Sequence, residues 1–281
     1  MQEKDIENIE VELLLDALHA RYGYDFNHYA KASLKRRLQY FLSKQDLVYI
    51  SDLIPKLLHD QPLFTEFVVD LSVTVTEMFR DPDFYVAFKE KVIPTLSTYP
   101  FIKIWHAGCA TGEEVYSMAI LLYEAGLLER SQLYATDFNQ LALKIASKGI
   151  YPIDQMKTNA KNYSKFSQVG SLSDYYHAKY DSVKMKNHLR DHITFSRHNL
   201  VNDHHFGEMN VIICRNVLIY FDTTLQNRVI SLFKESLMPR GILCLGRKES
   251  LINMDSSLSF EKMVNAEKIY RLIATGGHHD L

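Results

Sequence analysis

The chain has 281 residues, enough for one large domain or two smaller ones with a full hydrophobic core. At 47% hydrophobic and 23% charged it is an ordinary globular composition, and a net charge of −2 gives no argument for a nucleic-acid partner. No apolar run reaches the ~18 residues of a membrane span, which argues against membrane insertion.

The N-terminus, "MQEKDIENIEVELLL", is acidic ahead of its apolar run, the wrong charge for a secretory signal. Cys109, Cys214 and Cys244 form no C-x-x-C pair and their number is odd, so neither a disulfide framework nor a zinc site is indicated. A reduced, cytoplasmic protein is expected. Residues 1 to about 71 read as all-helical. In "EVELLLDALHARYG", Val11, Leu14, Leu15 and Leu18 fall at helical spacing, with Gly23 as terminator. "NHYAKASLKRRLQYFL" repeats the pattern through Tyr29, Leu34, Leu38, Phe41 and Leu42. Pro55 interrupts or starts the next helix, and "LFTEFVVDL" makes another. "SVTVTEMFRDP" then loses the period, and Asp81-Pro82 reads as an N-cap followed by proline at the first helical position.

From residue 100 strands alternate with helices. "FIKIWHA", "QLYATDF", "ITFSRHNL", "MNVIICRNV", "GILCLG" and "EKIYRLIA" read as strands; "EVYSMAILLYEAGL", "QLALKIASKGIY" and "TTLQNRVISLFKESL" read as helices. This alternation predicts a doubly wound, mostly parallel α/β sheet. A polar stretch over about 157–195 breaks the rhythm and is too long for a simple loop, so it reads as an insertion with its own structure. The domain boundaries expected are 1–75 for the helical part and 76–281 for the rest.

"WHAGCATGEE" (105–114) has the form of a strand, a glycine turn and a helix start. Gly108-x-x-x-Gly112 is neither a P-loop, since no lysine follows, nor G-x-G-x-x-G. A bare strand-to-helix turn is one reading. The other is a nucleotide site, and there Glu113 and Glu114 matter: in the first turn they would satisfy the helix dipole and repel a phosphate. A cationic nucleoside without phosphate, such as S-adenosylmethionine, fits better. Asp137, at the end of "YATD", stands either as the N-cap of the following helix or as an acceptor for both ribose hydroxyls.

"TVTEMFRDPDF", "HAGCATGEEVYSMAI", "YATDFN", "FSRHNL" and "VIICRNVLIYF" resemble, in order and spacing, the CheR-type chemotaxis protein-glutamate methyltransferases, over about residues 10–272. The resemblance implies an all-α N-terminal domain that docks a receptor, then a Rossmann-like S-adenosylmethionine-dependent methyltransferase sheet carrying a small inserted β-subdomain. It implies cofactor contacts at Thr74, Thr76, Arg80, Glu114, Asp137, Asn199, Leu200, Arg215 and Asn216, with Arg80 and Tyr220 facing the methyl-transfer point. S-adenosyl-L-homocysteine would be the product. The sequence departs from the family where Thr74 stands for Asn, where Met78 replaces the first Phe of Phe-Phe-Arg, and where "GRKES" (246–250) stands for Gly-His-Ser-Glu. The insertion "SLSDYYHAKYDS" also differs from the receptor-tail-binding form.

Glutamate, with a pKa of about 4.3, is already a carboxylate near neutral pH and needs no general base to accept a methyl group. It needs alignment and exclusion of water. The planar fork of Arg80 suits either the acceptor carboxylate or that of the cofactor's methionine moiety, and Tyr220 would add a hydroxyl or be a half-buried aromatic. Lys31, Lys35, Arg36 and Arg37 form the most basic run, either a solvated helix face or a docking surface for a chemoreceptor-like partner. Two other functions stand beside the methyltransferase: a catalytically silent cofactor-binding platform, which Arg80, Asp137 and Tyr220 argue against, and a nucleotide-dependent oxidoreductase, which the Glu pair argues against.

Overall fold

A computed structural model describes residues 3–24, 26, 29–71, 76–167, 169–251 and 259–273. The chain divides into two compact units. One holds the residues up to 71 together with Ile219–Gln226; the other holds 76–218 and the chain from Asn227 onward.

The first unit contains α1 (Glu3–Tyr22), α2 (Lys31–Lys44), α3 (Leu53–His59) and α4 (Gln61–Leu71). The apolar positions at helical spacing are the buried ones: Val11, Leu14, Leu15 and Leu18 on α1, and Leu34, Leu38, Phe41 and Leu42 on α2. Gly23 closes α1 in the left-handed region (φ 72°), its N–H donating to the His19 carbonyl at 2.8 Å. Pro55 lies in the first turn of α3, where no intrahelical N–H is lost. Tyr29 is not helical, contrary to the sequence pattern. The N–H of Ala30 donates to the carbonyl of Tyr220 at 2.8 Å, and Tyr29 bridges Phe221, so α2 starts two residues later.

The second unit opens with α5 (Pro82–Lys91) and α6 (Ile93–Leu96), followed by β1 (Ile102–Ala107), α7 (Glu113–Glu124), β2 (Ser131–Asp137) and α8 (Gln140–Lys148). Then come β3 (Ile150–Pro152), α9 (Met156–Phe166), β4 (Tyr176–Lys179), β5 (Ser182–Met185), α10 (Asn187–Arg190) and β6 (Ile193–Arg197). β7 (Met209–Cys214), α11 (Thr223–Ser236), β8 (Leu237–Leu245), β9 (Phe260–Val264) and β10 (Ile269–Leu272) complete it, with the first turn of α11 grouped with the helical unit.

The main sheet runs β6-β2-β1-β7-β8-β10-β9. Its first five strands are mutually parallel, and β10 pairs antiparallel with β8 on one side and β9 on the other. β7 is buried along its whole length and α7 from Val115 to Leu122, as continuous apolar runs in a covered parallel sheet require. Register aligns Ala107 with Thr136 and His106 with Ile213, so the turns after β1, β2 and β7 gather at one sheet edge.

A second, antiparallel sheet runs β3-β5-β4. The polar interruption therefore begins as a helix, α9, while the small sheet takes its first strand from upstream of residue 157 and β6 belongs to the main sheet.

Asp137 does not cap α8. That role falls to Asn139, whose Oδ1 accepts from Leu141 N–H at 3.0 Å and Ala142 N–H at 3.2 Å. Nor does the Asp81 side chain cap α5, although Pro82 occupies the first helical position as expected. Asn139→Ala should lower stability by about 1 kcal/mol in urea denaturation. An unchanged midpoint would mean the cap contributes nothing.

Candidate functional site

The glycine turn between β1 and α7 is built from residues with positive φ: Gly108 (79°), Ala110 (48°) and Gly112 (93°). A Cβ on Gly108 would lie 2.6 Å from Val217 Cγ2, and one on Gly112 would lie 2.8 Å from the Ala146 Cβ, so both positions also need glycine for space. Most of the turn's amides are already satisfied. Gly108 and Cys109 donate to the Thr136 carbonyl at 2.8 and 2.9 Å, Gly112 donates to the Cys109 carbonyl at 3.0 Å, and Ala110 donates to Asp137 Oδ2 at 2.9 Å. A phosphate cradle needs such N–H groups open.

The two acids behind the turn differ from each other. Glu113 is buried and accepts from Thr111 Oγ1 at 2.7 Å. Burial pushes its carboxyl up to about 7, against the pull of that hydroxyl and of its own N–H. Glu114 is neutralised: its Oε1 lies 3.1 Å from His106 Nδ1 and its Oε2 accepts from Arg215 Nη1 at 3.0 Å. Burial alone would raise the Glu114 carboxyl, but the His106 hydrogen bond and the Arg215 charge hold it below its ordinary value. Phosphate is thus disfavoured chiefly by occupied amides, rather than by two free carboxylates as the sequence suggested.

Arg215 extends this cluster. Its Nη2 donates to Asp81 Oδ2 at 2.8 Å and to the Arg80 carbonyl at 3.2 Å, and its guanidinium lies 4.1 Å from the centre of the Phe84 ring. With the side chain only 1% exposed, it is a buried cross-link between the turn before α5 and the start of α7. The structure therefore joins Arg80, Glu114 and Arg215, and adds Asp81 and His106, which sequence reasoning missed.

Asp137 stands beside the glycine turn, its other oxygen accepting from Asn139 N–H at 2.8 Å. Burial raises its carboxyl, with the N–H groups of Asn139 and Ala110 opposing. Two bonded oxygens still leave a carboxylate lone pairs for further donors. The Asp137 carbonyl accepts from His198 N–H at 3.2 Å, which brings Asn199 and buried Leu200 next to it in the chain. Asn216 has φ 62°, and its N–H donates to Glu249 Oε2 at 3.0 Å. Buried Glu249 also takes the N–H of Val217 at 2.8 Å and of Gly246 at 2.6 Å, tying together the turns after β7 and β8. Its signal was visible in "GRKES": the fourth residue is the glutamate of Gly-His-Ser-Glu.

Thr76 is half-buried, and Thr74 lies outside the described residues. Tyr220 groups with the helical unit, where Arg37 lies 4.9 Å from its ring centre and also donates to the Leu71 carbonyl. Of the basic run, Lys31 and Arg36 are exposed, whereas Lys35 is half-buried and pairs with Glu7 at 3.1 Å. Cys109 is buried, and burial pushes its thiol well up, away from nucleophilic use.

Glu113 yields a pH prediction. A carboxyl raised from 4.5 to about 7 holds extra proton in the folded state between those values, so its contribution to stability falls as pH rises through that window and is flat above it. Glu113→Gln keeps the acceptor for Thr111 and removes the titration. The variant should gain on the parent by on the order of 1–3 kcal/mol between pH 4.5 and 8 in chemical denaturation. Parallel pH profiles would show that Glu113 titrates at its ordinary value.

The residues at this edge fit a nucleoside with cationic character: a carboxylate, Asp137, beside the turn, and turn amides already occupied. Comparison with known proteins agrees. Residues 9–72 match the model for the all-alpha domain of CheR methyltransferases, and residues 74–267 match that for their SAM binding domain. Cher3 of Pseudomonas putida is 46% identical over 264 residues, covering 94% of this chain and 97% of its own. The chemotaxis protein methyltransferase of Listeria monocytogenes is 28% identical over 235 residues, covering 82% and 86% respectively. Chemotaxis protein methyltransferase 1 of Vibrio cholerae is 28% identical over 251 residues, covering 85% and 88%. Matched in both regions and in order, the chain belongs to the CheR family of S-adenosylmethionine-dependent methyltransferases.

Proposed function

We propose that the protein forms γ-methyl esters on glutamate side chains of a chemoreceptor-like protein. The observation that carries this reading is the turn bearing Arg80, tied through its carbonyl and Asp81 to buried Arg215 in a family whose relatives are named for chemotaxis. A carboxylate acceptor needs to be oriented, not deprotonated.

Bound S-adenosylmethionine supplies a methyl group activated by its sulfonium. Asp137 accepts from the ribose hydroxyls; Thr74, Thr76, Glu114, Asn199, Leu200, Arg215 and Asn216 complete the cofactor contacts, Glu114 and Arg215 by holding the walls of the site through their mutual ion pair. Arg80 orients a carboxylate through its planar fork, and Tyr220 offers a hydroxyl to the acceptor. Exposed Lys31 and Arg36 are the members of the basic run best suited to meet an acidic partner helix.

The test is transfer of tritiated methyl groups into proteins of a source-cell lysate, followed by alkaline hydrolysis. Esters release volatile methanol; label that resists base would refute the ester assignment. Asp137→Ala should weaken S-adenosylhomocysteine binding by about 1.5–3 kcal/mol in calorimetry, the range for a hydrogen bond to a charged group. Undiminished affinity would remove Asp137 from the site. Arg80→Ala should depress turnover more than Tyr220→Phe, and Tyr220→Phe should leave cofactor affinity unchanged. Parent rates in both variants would place the active centre elsewhere.

A further inference from the structure

Within the second unit, four consecutive residues around Arg80 are held from three directions. On α9, Asn159 Oδ1 accepts from Met78 N–H at 3.1 Å and Asn162 Nδ2 donates to the Met78 carbonyl at 3.2 Å. On α7, Ser117 Oγ accepts from Phe79 N–H at 2.9 Å and donates to the Glu113 carbonyl at 2.7 Å. Arg215 takes the Arg80 carbonyl and the Asp81 carboxylate. The residues on either side of Arg80 both have left-handed backbones, Phe79 at φ 53° and Asp81 at φ 56°, and neither is glycine. Such a conformation persists only where its surroundings over-determine it. Met78 and Phe79 are fully buried and Asn159 is 2% exposed, so no water replaces these bonds.

We propose that Asn159 is a positioning residue for methyl transfer. α9, the helix that opens the polar stretch after β3, fixes the backbone from which Arg80 extends. The inference rests on the reading of Arg80 given above. Without the amide oxygen, a buried N–H two residues before Arg80 loses its acceptor, and the strained turn relaxes toward ordinary φ. A displacement of about 1 Å in an orienting group costs on the order of a hundred-fold in rate, and with the Arg80 fork turned to the acceptor carboxylate the cofactor affinity stays as it was. The insertion then serves the chemistry of the enzyme directly, whatever else it binds.

The decisive variants are Asn159→Leu, which keeps volume and removes the acceptor, and Asn159→Asp, which restores an acceptor oxygen. Base-labile methanol release is followed on the full chain while source-cell lysate is titrated, so that maximal rate and half-saturating lysate are read separately. S-adenosylhomocysteine affinity is measured by calorimetry. Asn159→Leu should lower the maximal rate by about ten-fold or more, with half-saturation and cofactor affinity within about three-fold, and Asn159→Asp should recover most of the rate.

A parent rate in Asn159→Leu, a fall in affinity that matches the fall in rate, or no recovery in Asn159→Asp overturns the proposal. If Asn159→Leu does not fold, half-buried Asn162→Leu tests the same hold on the Met78 carbonyl: a lower rate at unchanged affinity supports it, and a parent rate overturns it. Arg80→Ala run alongside separates the two readings. Loss in Arg80→Ala with a parent rate in Asn159→Leu removes this inference alone, whereas a parent rate in Arg80→Ala removes the role of Arg80 and this inference with it.

Discussion

The guanidinium of Arg215 is the interaction on which the site depends. Placed just after β7 with almost no solvent exposure, it joins Glu114 in the first turn of α7, Asp81 before α5 and the backbone of Arg80. A buried cation is tolerable only when its partners are close and well aligned, and here two carboxylates, a carbonyl and an aromatic face surround it. Truncating one member of such a pair typically costs about 3–5 kcal/mol, because the partner is left buried and unpaired. His106 extends the cluster under the glycine turn on the opposite side of Glu114. The charged residues at this edge thus hold loops in place before they meet any ligand.

The parallel sheet makes that arrangement affordable in geometry. Because β1, β2, β7 and β8 end in register, side chains of one turn reach the next: Asp137 to Ala110, Val217 against Gly108, Glu249 to Asn216. Each turn is fixed by its neighbour as well as by its own residues, the glycine turn by Gly108 and Gly112. The left-handed residues at Ala110 and Asn216 are tolerated for the same reason, since their N–H groups are each fastened to a carboxylate.

Much of the fold was legible from local pattern. The strands from "FIKIWHA" to "EKIYRLIA", the helical first part and the termination at Gly23 follow from periodicity and turn chemistry. What escaped was long-range. Tyr29 sits in a helical pattern but is extended, because the Ala30 amide bonds to a carbonyl 190 residues away, at Tyr220. Asp81 has the sequence of a cap yet turns to Arg215, 134 residues on. β9 has no clear alternation and is held as an edge strand by β10. At the candidate site, the family resemblance pointed to Arg80, Glu114, Asp137 and Arg215. Asp81, which meets Arg215, and Asn159, which meets the Met78 amide, carry no local signal because their partners are distant in the chain, whereas His106 meets Glu114 only eight residues on.

The buried cysteines have a consequence for watching the molecule move. All three thiols are free, and burial raises each of them, so the folded protein presents almost no thiolate to a reagent. Modification must wait for opening, and its rate becomes a clock for it. Cys214 and Cys244 lie in adjacent strands, β7 and β8, one residue out of register, and report disruption of the sheet itself. Cys109 belongs to the glycine turn and reports transient exposure of that turn alone. Native chemistry therefore distinguishes breathing of the ligand edge from global unfolding, without an introduced label.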